Sequence, residues 1–132
     1  MVNTIKVLLA DDHEVFRRSL AEFLNVQDGV QVVAQVSNGY EAIEQADRYA
    51  PDVVLLDLNM PGRNGLEAAK AIKRLRPFTK VFILSANDGE IYRKMAELNH
   101  ADGYVEKSAL KNQIIALLDE LLRNRKAAPY AA

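Results

Sequence analysis

The chain contains no cysteine, which excludes disulfides and thiolate metal sites and fits a reducing compartment, so a cytoplasmic location is expected. Charge of neither sign dominates: 17 Lys and Arg against 18 Asp and Glu leave a formal net charge of −1. No global field therefore draws the chain to nucleic acid or to an anionic membrane. No apolar run approaches the length of a membrane span, and no signal peptide opens the chain. Repeats, low-complexity segments and internal linkers are absent as well. What is present suits a soluble globular protein: 132 residues, 49% hydrophobic and 27% charged, enough for one domain with a real core. That domain is expected over residues 4–125, with a frayed tail at 126–132 where the periodicity stops.

Residues 53–62 (Val-Val-Leu-Leu-Asp-Leu-Asn-Met-Pro-Gly) carry the strongest local signal. Four consecutive apolar residues read as a strand buried on both faces. Asp57 ends that run, and Pro61-Gly62 turns the backbone away. A carboxylate at the rim of an apolar core is costly unless something compensates it. Asp57 is therefore either a cap or a reagent.

The remaining pattern alternates strands with helices. Strands are expected at 5–10, 30–36, 53–57, 81–84 and 102–106. Five helices follow them, with apolar faces at Phe16/Leu20/Phe23/Leu24, Ala42/Ile43/Ala46/Ala50, Leu66/Ala69/Ile72/Leu75, Ile91/Met95/Leu98 and Leu110/Ile114/Leu117/Leu118/Leu121. Asp12 stands where it would cap the first helix, and Asp88-Gly89 where the fourth would start. Such alternation implies a parallel sheet covered on both faces. The strands at 5–10, 53–57 and 81–84 are almost wholly apolar and belong inside, whereas those at 30–36 and 102–106 carry polar residues and belong at the edges. The expected fold is thus α/β: a doubly wound, five-stranded parallel sheet of order 2-1-3-4-5, flavodoxin-like, in a single domain. The fifth helix adds Ile115 and Leu122 to its apolar face. Deeper burial is the plainer reading, and a dimerisation surface is the other.

In such a sheet, sites form outside the carboxyl ends of the strands. Asp11 and Asp12 follow the first strand, Asp57 ends the third, Ser85 follows the fourth and Lys107 the fifth. Carboxylates about 4 Å apart repel by roughly 4 kcal/mol per pair at an effective dielectric of 20. Three acids against one lysine need a further cation, and clustered oxygens without Cys or His favour Mg²⁺ over zinc or copper. His13 and His100 are read as surface residues outside this group. A carboxylate beside Mg²⁺ and a lysine can attack a phosphoryl group and form an aspartyl phosphate. Lys107 and the Ser85 hydroxyl would offset charge on its oxygens.

The segments Leu8-Leu9-Ala10-Asp11-Asp12-His13, Asp57-Leu58-Asn59-Met60-Pro61-Gly62 with Asn64-Gly65, Ser85-Ala86, and Gly103-Tyr104-Val105-Glu106-Lys107 resemble the receiver domain of bacterial two-component response regulators. They look most like the subgroup with a C-terminal helix-turn-helix, a domain that these residues do not include. Direct binding of nucleic acid is therefore not expected of them. The resemblance implies that Asp57 accepts a phosphoryl group from a histidine kinase or a phosphotransfer protein. It implies that Asp12, Asp57 and the backbone carbonyl of Asn59 hold Mg²⁺, with Asp11 acting through water. Ser85, Ala86 and Tyr104 would form the switch, repacking the face made by the fourth helix, fifth strand and fifth helix. The output would be transcriptional where a DNA-binding domain or partner exists, with homodimerisation on phosphorylation. The chain would be a phosphoacceptor rather than an enzyme, assisting its own phosphorylation and dephosphorylation. It departs from the family at Leu98-Asn99-His100-Ala101, where members usually carry an Ala-Gly-Ala-like run.

Two other functions fit less well. A Mg²⁺-dependent phosphohydrolase would need a second acid near position 59 and a cap over its substrate, whereas this chain has Asn59 and no long insertion. A flavodoxin-like carrier would have a Ser/Thr/Gly-rich phosphate loop where Asp11-Asp12 would repel phosphate.

Overall fold

The computed structural model describes residues 4–86 and 89–127. Five strands, β1 (Ile5–Ala10), β2 (Val30–Val36), β3 (Val53–Asp57), β4 (Lys80–Ser85) and β5 (Gly103–Glu106), alternate with five helices. These are α1 (Glu14–Asn25), α2 (Gly39–Tyr49), α3 (Gly65–Leu75), α4 (Glu90–Leu98) and α5 (Leu110–Ala127). All strand pairs are parallel, in the order β2-β1-β3-β4-β5. The wholly apolar strands are the three inner ones, as expected from their composition.

Strand side chains alternate between the two faces, and each face has its own core. Leu8, Leu56 and Ile83 meet Ala42 and Ala46 of α2, Ala69 and Ile72 of α3, and Ala96 of α4. Val7, Leu9, Leu55 and Leu84 meet Leu20 and Leu24 of α1 and Ile114 and Leu118 of α5. Side-chain caps set two helix starts: Asn38 accepts from the Glu41 N–H, and Asn64 with Glu67 closes a reciprocal capping box.

Three details differ from the sequence expectation. Asp12 does not cap α1, because the N-cap position falls on His13 and makes no side-chain cap bond. In α4 the period is right and the face is wrong: Ile91 and Leu98 are 66% and 76% exposed, and the helix docks through Ala96 and Tyr92 instead. Leu75 and Ala50 likewise end their helices in solvent. On α5 the plainer reading holds: Leu117, Leu121 and Leu122 pack half-buried against the core, so most of its wide apolar face is used internally. Asp88, expected at the start of α4, and residues 128–132 of the expected tail lie outside the described residues. The helix α5 itself continues to Ala127.

Candidate phosphoacceptor site

Asp57 is the last residue of β3 and pairs in register with Leu84 of β4. The next residue keeps the ladder, its N–H donating to the Leu84 carbonyl at 2.9 Å. This holds the Asp57 side chain at the carboxyl edge of the sheet, where it is only 4% exposed. The chain must then return at once into α3. That return passes so close that a Cβ on Gly65 would lie 2.3 Å from the Asp57 carbonyl oxygen, so only glycine fits there.

Asp11 emerges from β1 one strand away, and its N–H donates to the Val36 carbonyl at 3.0 Å. Its backbone carbonyl accepts from Arg17 Nη1 at 2.9 Å, and its side chain is buried. Ser85 ends β4 and is 1% exposed. Lys107 opens a short 3-10 turn after β5, which aims its side chain back across the sheet edge. Its Nζ lies 2.8 Å from Asp11 Oδ2 and 2.9 Å from Asp57 Oδ1, and 4.4 Å from the centroid of the Phe16 ring. One ammonium thus ties together three strands.

Burial pushes the Asp57 carboxyl above the usual carboxylate range; the Lys107 hydrogen bond opposes this, and the charges of Asp11 and Asp12 add to it. Burial alone would lower Lys107, but its hydrogen bonds to Asp11 and Asp57 outweigh that and raise it above the ordinary lysine value. The second Asp57 oxygen, Oδ2, is buried with no hydrogen-bond partner. An orphaned carboxylate oxygen beside two more acids fits a divalent cation, because water-free burial of that charge is otherwise costly.

Asp11, Asp12, Ser85, Lys107 and Asp57 therefore converge at one edge, as the strand order requires. Asn59 lies two residues beyond Asp57, exposed in the β3–α3 loop between the buried Leu58 and Met60, and Ala86 is exposed directly after Ser85. Tyr104 is buried on the edge strand β5, beneath the Arg93 guanidinium, 4.9 Å from its ring centroid. Arg93 in turn pairs with Glu106 at 2.9 Å.

Two participants were not visible in the sequence pattern. His13, read as lying outside the group, places Nδ1 3.1 Å from Asp11 Oδ1 and 3.3 Å from Asp12 Oδ1. It is a surface side chain, but it belongs to the cluster. Phe16 counts as a core residue by its spacing, yet it also supports the Lys107 ammonium. The signal for His13 was direct adjacency to the acidic pair. Phe16 had none beyond its place in the first turn of α1.

The family model for the response regulator receiver domain matches residues 7–119. The chain belongs to that family. The oxygen regulatory protein NreC of Staphylococcus aureus (strain JH9) is 40% identical to this receiver over 112 residues, which are 84% of the chain and 52% of that protein. The receiver thus spans about half the length of the curated relatives it matches. The signal receiver domain of the response regulator NarL from Mycobacterium tuberculosis superposes with a TM-score of 0.84 at 29% identity, covering 92% of this chain and 98% of that one. The response regulator domain of Thermotoga maritima CheB gives 0.78 at 28% identity, covering 98% and 99%. Among the described residues, no helix of this receiver is long and apolar enough to cross a membrane.

Proposed function

We propose that this receiver is a phosphorylation-controlled switch in which Asp57 is the phosphoacceptor. The observation that carries the reading is the buried Asp57 carboxylate, with Oδ1 held by Lys107 and Oδ2 left without a partner. The donor is a phosphohistidine on a histidine kinase or a phosphotransfer protein. A carboxylate oxygen of Asp57 attacks phosphorus, the P–N bond breaks, and the electron pair returns to the donor imidazole, which takes up a proton. Lys107 then pairs with the phosphoryl oxygens in place of the lone carboxylate charge, and the Ser85 hydroxyl donates to one of them.

Asp12, Asp57 and the Asn59 carbonyl would hold Mg²⁺, with Asp11 assisting through water. Bound there, Mg²⁺ supplies positive charge against the phosphoryl oxygens as charge builds on them. The chain acts as a phosphoacceptor that assists its own phosphorylation and dephosphorylation, rather than as an enzyme on a separate substrate. Output follows from Ser85, Ala86 and Tyr104, through repacking of the face made by α4, β5 and α5. The small side chain at Ala86 leaves room for this. Transcription is the output where a DNA-binding domain or partner is joined to the receiver, and homodimerisation on phosphorylation is the expected intermediate.

Intact-mass measurement after incubation with acetyl phosphate tests the reading. Wild type gains one phosphoryl group only with Mg²⁺ present, and Asp57→Ala gains none. A wild-type mass unchanged under every condition would reduce the chain to a receiver fold without the chemistry.

A further inference from the structure

Two aromatic rings of α1 meet lysines that follow β5, and one of those lysines reaches the acidic cluster. Lys107 Nζ stands 4.4 Å from the centroid of Phe16, and Lys111 Nζ stands 5.1 Å from that of Phe23. Both lie within the roughly 6 Å over which the negative face of an aromatic ring attracts a cation. Lys111 is exposed, whereas the Lys107 side chain is only 16% exposed. Asp11 Oδ2 and Asp57 Oδ1 take two of the three Lys107 ammonium donors, and the Phe16 ring covers a further side. The ring is itself held in place. Arg17 Nη1 donates to the Asp11 carbonyl at 2.9 Å, which ties the first turn of α1 to the end of β1. Phe16 also packs half-buried against the core that α1 shares with α5.

We infer that Phe16 is a positioning residue for phosphoryl transfer to Asp57, its ring keeping the Lys107 ammonium in the site without fixing it to one point. The inference deepens the phosphoacceptor reading and rests on it. In that reading Lys107 passes from the Asp57 carboxylate to the phosphoryl oxygens. A carboxylate partner holds an ammonium along directed hydrogen bonds. A ring attracts through its whole face, so the ammonium can move toward the phosphoryl group and keep that contact. The ring also keeps water off one side of the ammonium, whose charge then acts at a lower effective dielectric. An aliphatic side chain of similar bulk would exclude water as well, but it would not attract the cation.

Fluorination of the ring separates these effects, because it drains the negative face stepwise and changes the shape little. The full chain is prepared with mono-, di- and trifluorinated phenylalanine at position 16, and with the same series at position 23. Labelling of Asp57 by acetyl phosphate at fixed Mg²⁺ is timed by intact mass. The rate falls with each fluorine at position 16, by about three- to tenfold at the third. It stays level at position 23, where the same kind of contact lies outside the site. Phe16→Leu falls at least as far as the trifluorinated chain, and Phe16→Tyr, which keeps a π face, stays near wild type. A rate that ignores fluorine at position 16, or that falls equally at position 23, overturns the inference and leaves the phosphoacceptor reading intact. A wild type that takes up no phosphoryl group overturns both.

Discussion

Asp57 and Lys107 share a hydrogen bond, yet they respond to pH in different windows. The folded state raises the carboxyl of Asp57, so the native protein holds that proton longer than the unfolded chain does. Stability therefore falls as pH rises from the unfolded carboxylate range through the folded value. Asp57→Asn removes the buried charge. It should unfold at higher urea than wild type at pH 7, with an advantage that shrinks as pH is lowered toward 4. An advantage that grew on acidification would contradict this account. Lys107 is also raised, so its contribution is complete below the unfolded lysine value and is lost as pH climbs through the folded one. Lys107→Met leaves two buried carboxylates without their cation and should cost about 3 kcal/mol in urea unfolding at pH 7. Combining it with Asp57→Asn should recover part of that loss. Strand-end acids and a strand-end lysine are legible in sequence because topology alone brings them together. His13 was not, since a histidine that follows two aspartates looks the same whether its ring turns toward them or toward water.

At the scale of elements, His100 and Gly65 are constrained for different reasons, one by backbone conformation and the other by close approach. After α4, the His100 N–H bonds the Glu97 carbonyl at 2.9 Å and the Ala101 N–H bonds the Ala96 carbonyl at 3.0 Å. This is the paired pattern of a Schellman helix end, which puts His100 in the left-handed region at φ 68. The resemblance to receivers marked this stretch as altered where glycine is usual, and the backbone still takes the conformation that glycine favours. His100→Gly should raise stability by ~0.5–1 kcal/mol, the relief of left-handed strain exceeding glycine's added unfolded-state entropy. Thermal unfolding of the pair would show it, and an unchanged or lower midpoint would count against the strain. Gly65→Ala acts in the other direction: its methyl would press on the Asp57 backbone and should cost about 2 kcal/mol or more. The same variant should also slow labelling by acetyl phosphate.

The three inner strands were legible to within a residue because runs buried on both faces leave no alternative period. The inward face of α4 was not. Ile91, Met95 and Leu98 make a convincing stripe, but Tyr92 and Ala96, shifted by one residue, form an equally periodic one. The small alanine lets the helix sit close to the sheet. Size complementarity decides between the two stripes, and periodicity does not report it.

At the scale of the whole molecule, the sheet separates two cores that meet only through its strands. The acidic cluster sits where β1 and β3 end, so an ion bound there should stabilise both halves together. Divalent cation at 100 times its dissociation constant should add about 2.7 kcal/mol to unfolding. Asp57→Ala and Asp12→Ala should lose most of that gain, as read from melting curves with and without the ion. A gain of equal size in the variants would place the ion elsewhere.

The far end of the sheet has a different kind of fastening. Arg125, near the end of α5, donates through Nη1 to the Thr4 carbonyl at 2.7 Å and pairs through Nη2 with Asp52. The entry to the first strand and the exit from the last helix are therefore side by side. The order in which the chain is threaded is then a convention more than a necessity. A short peptide bridge from beyond residue 125 back to residue 4, with the chain opened at the exposed Asp28-Gly29 turn, would preserve every strand pairing and leave the carboxyl edge untouched.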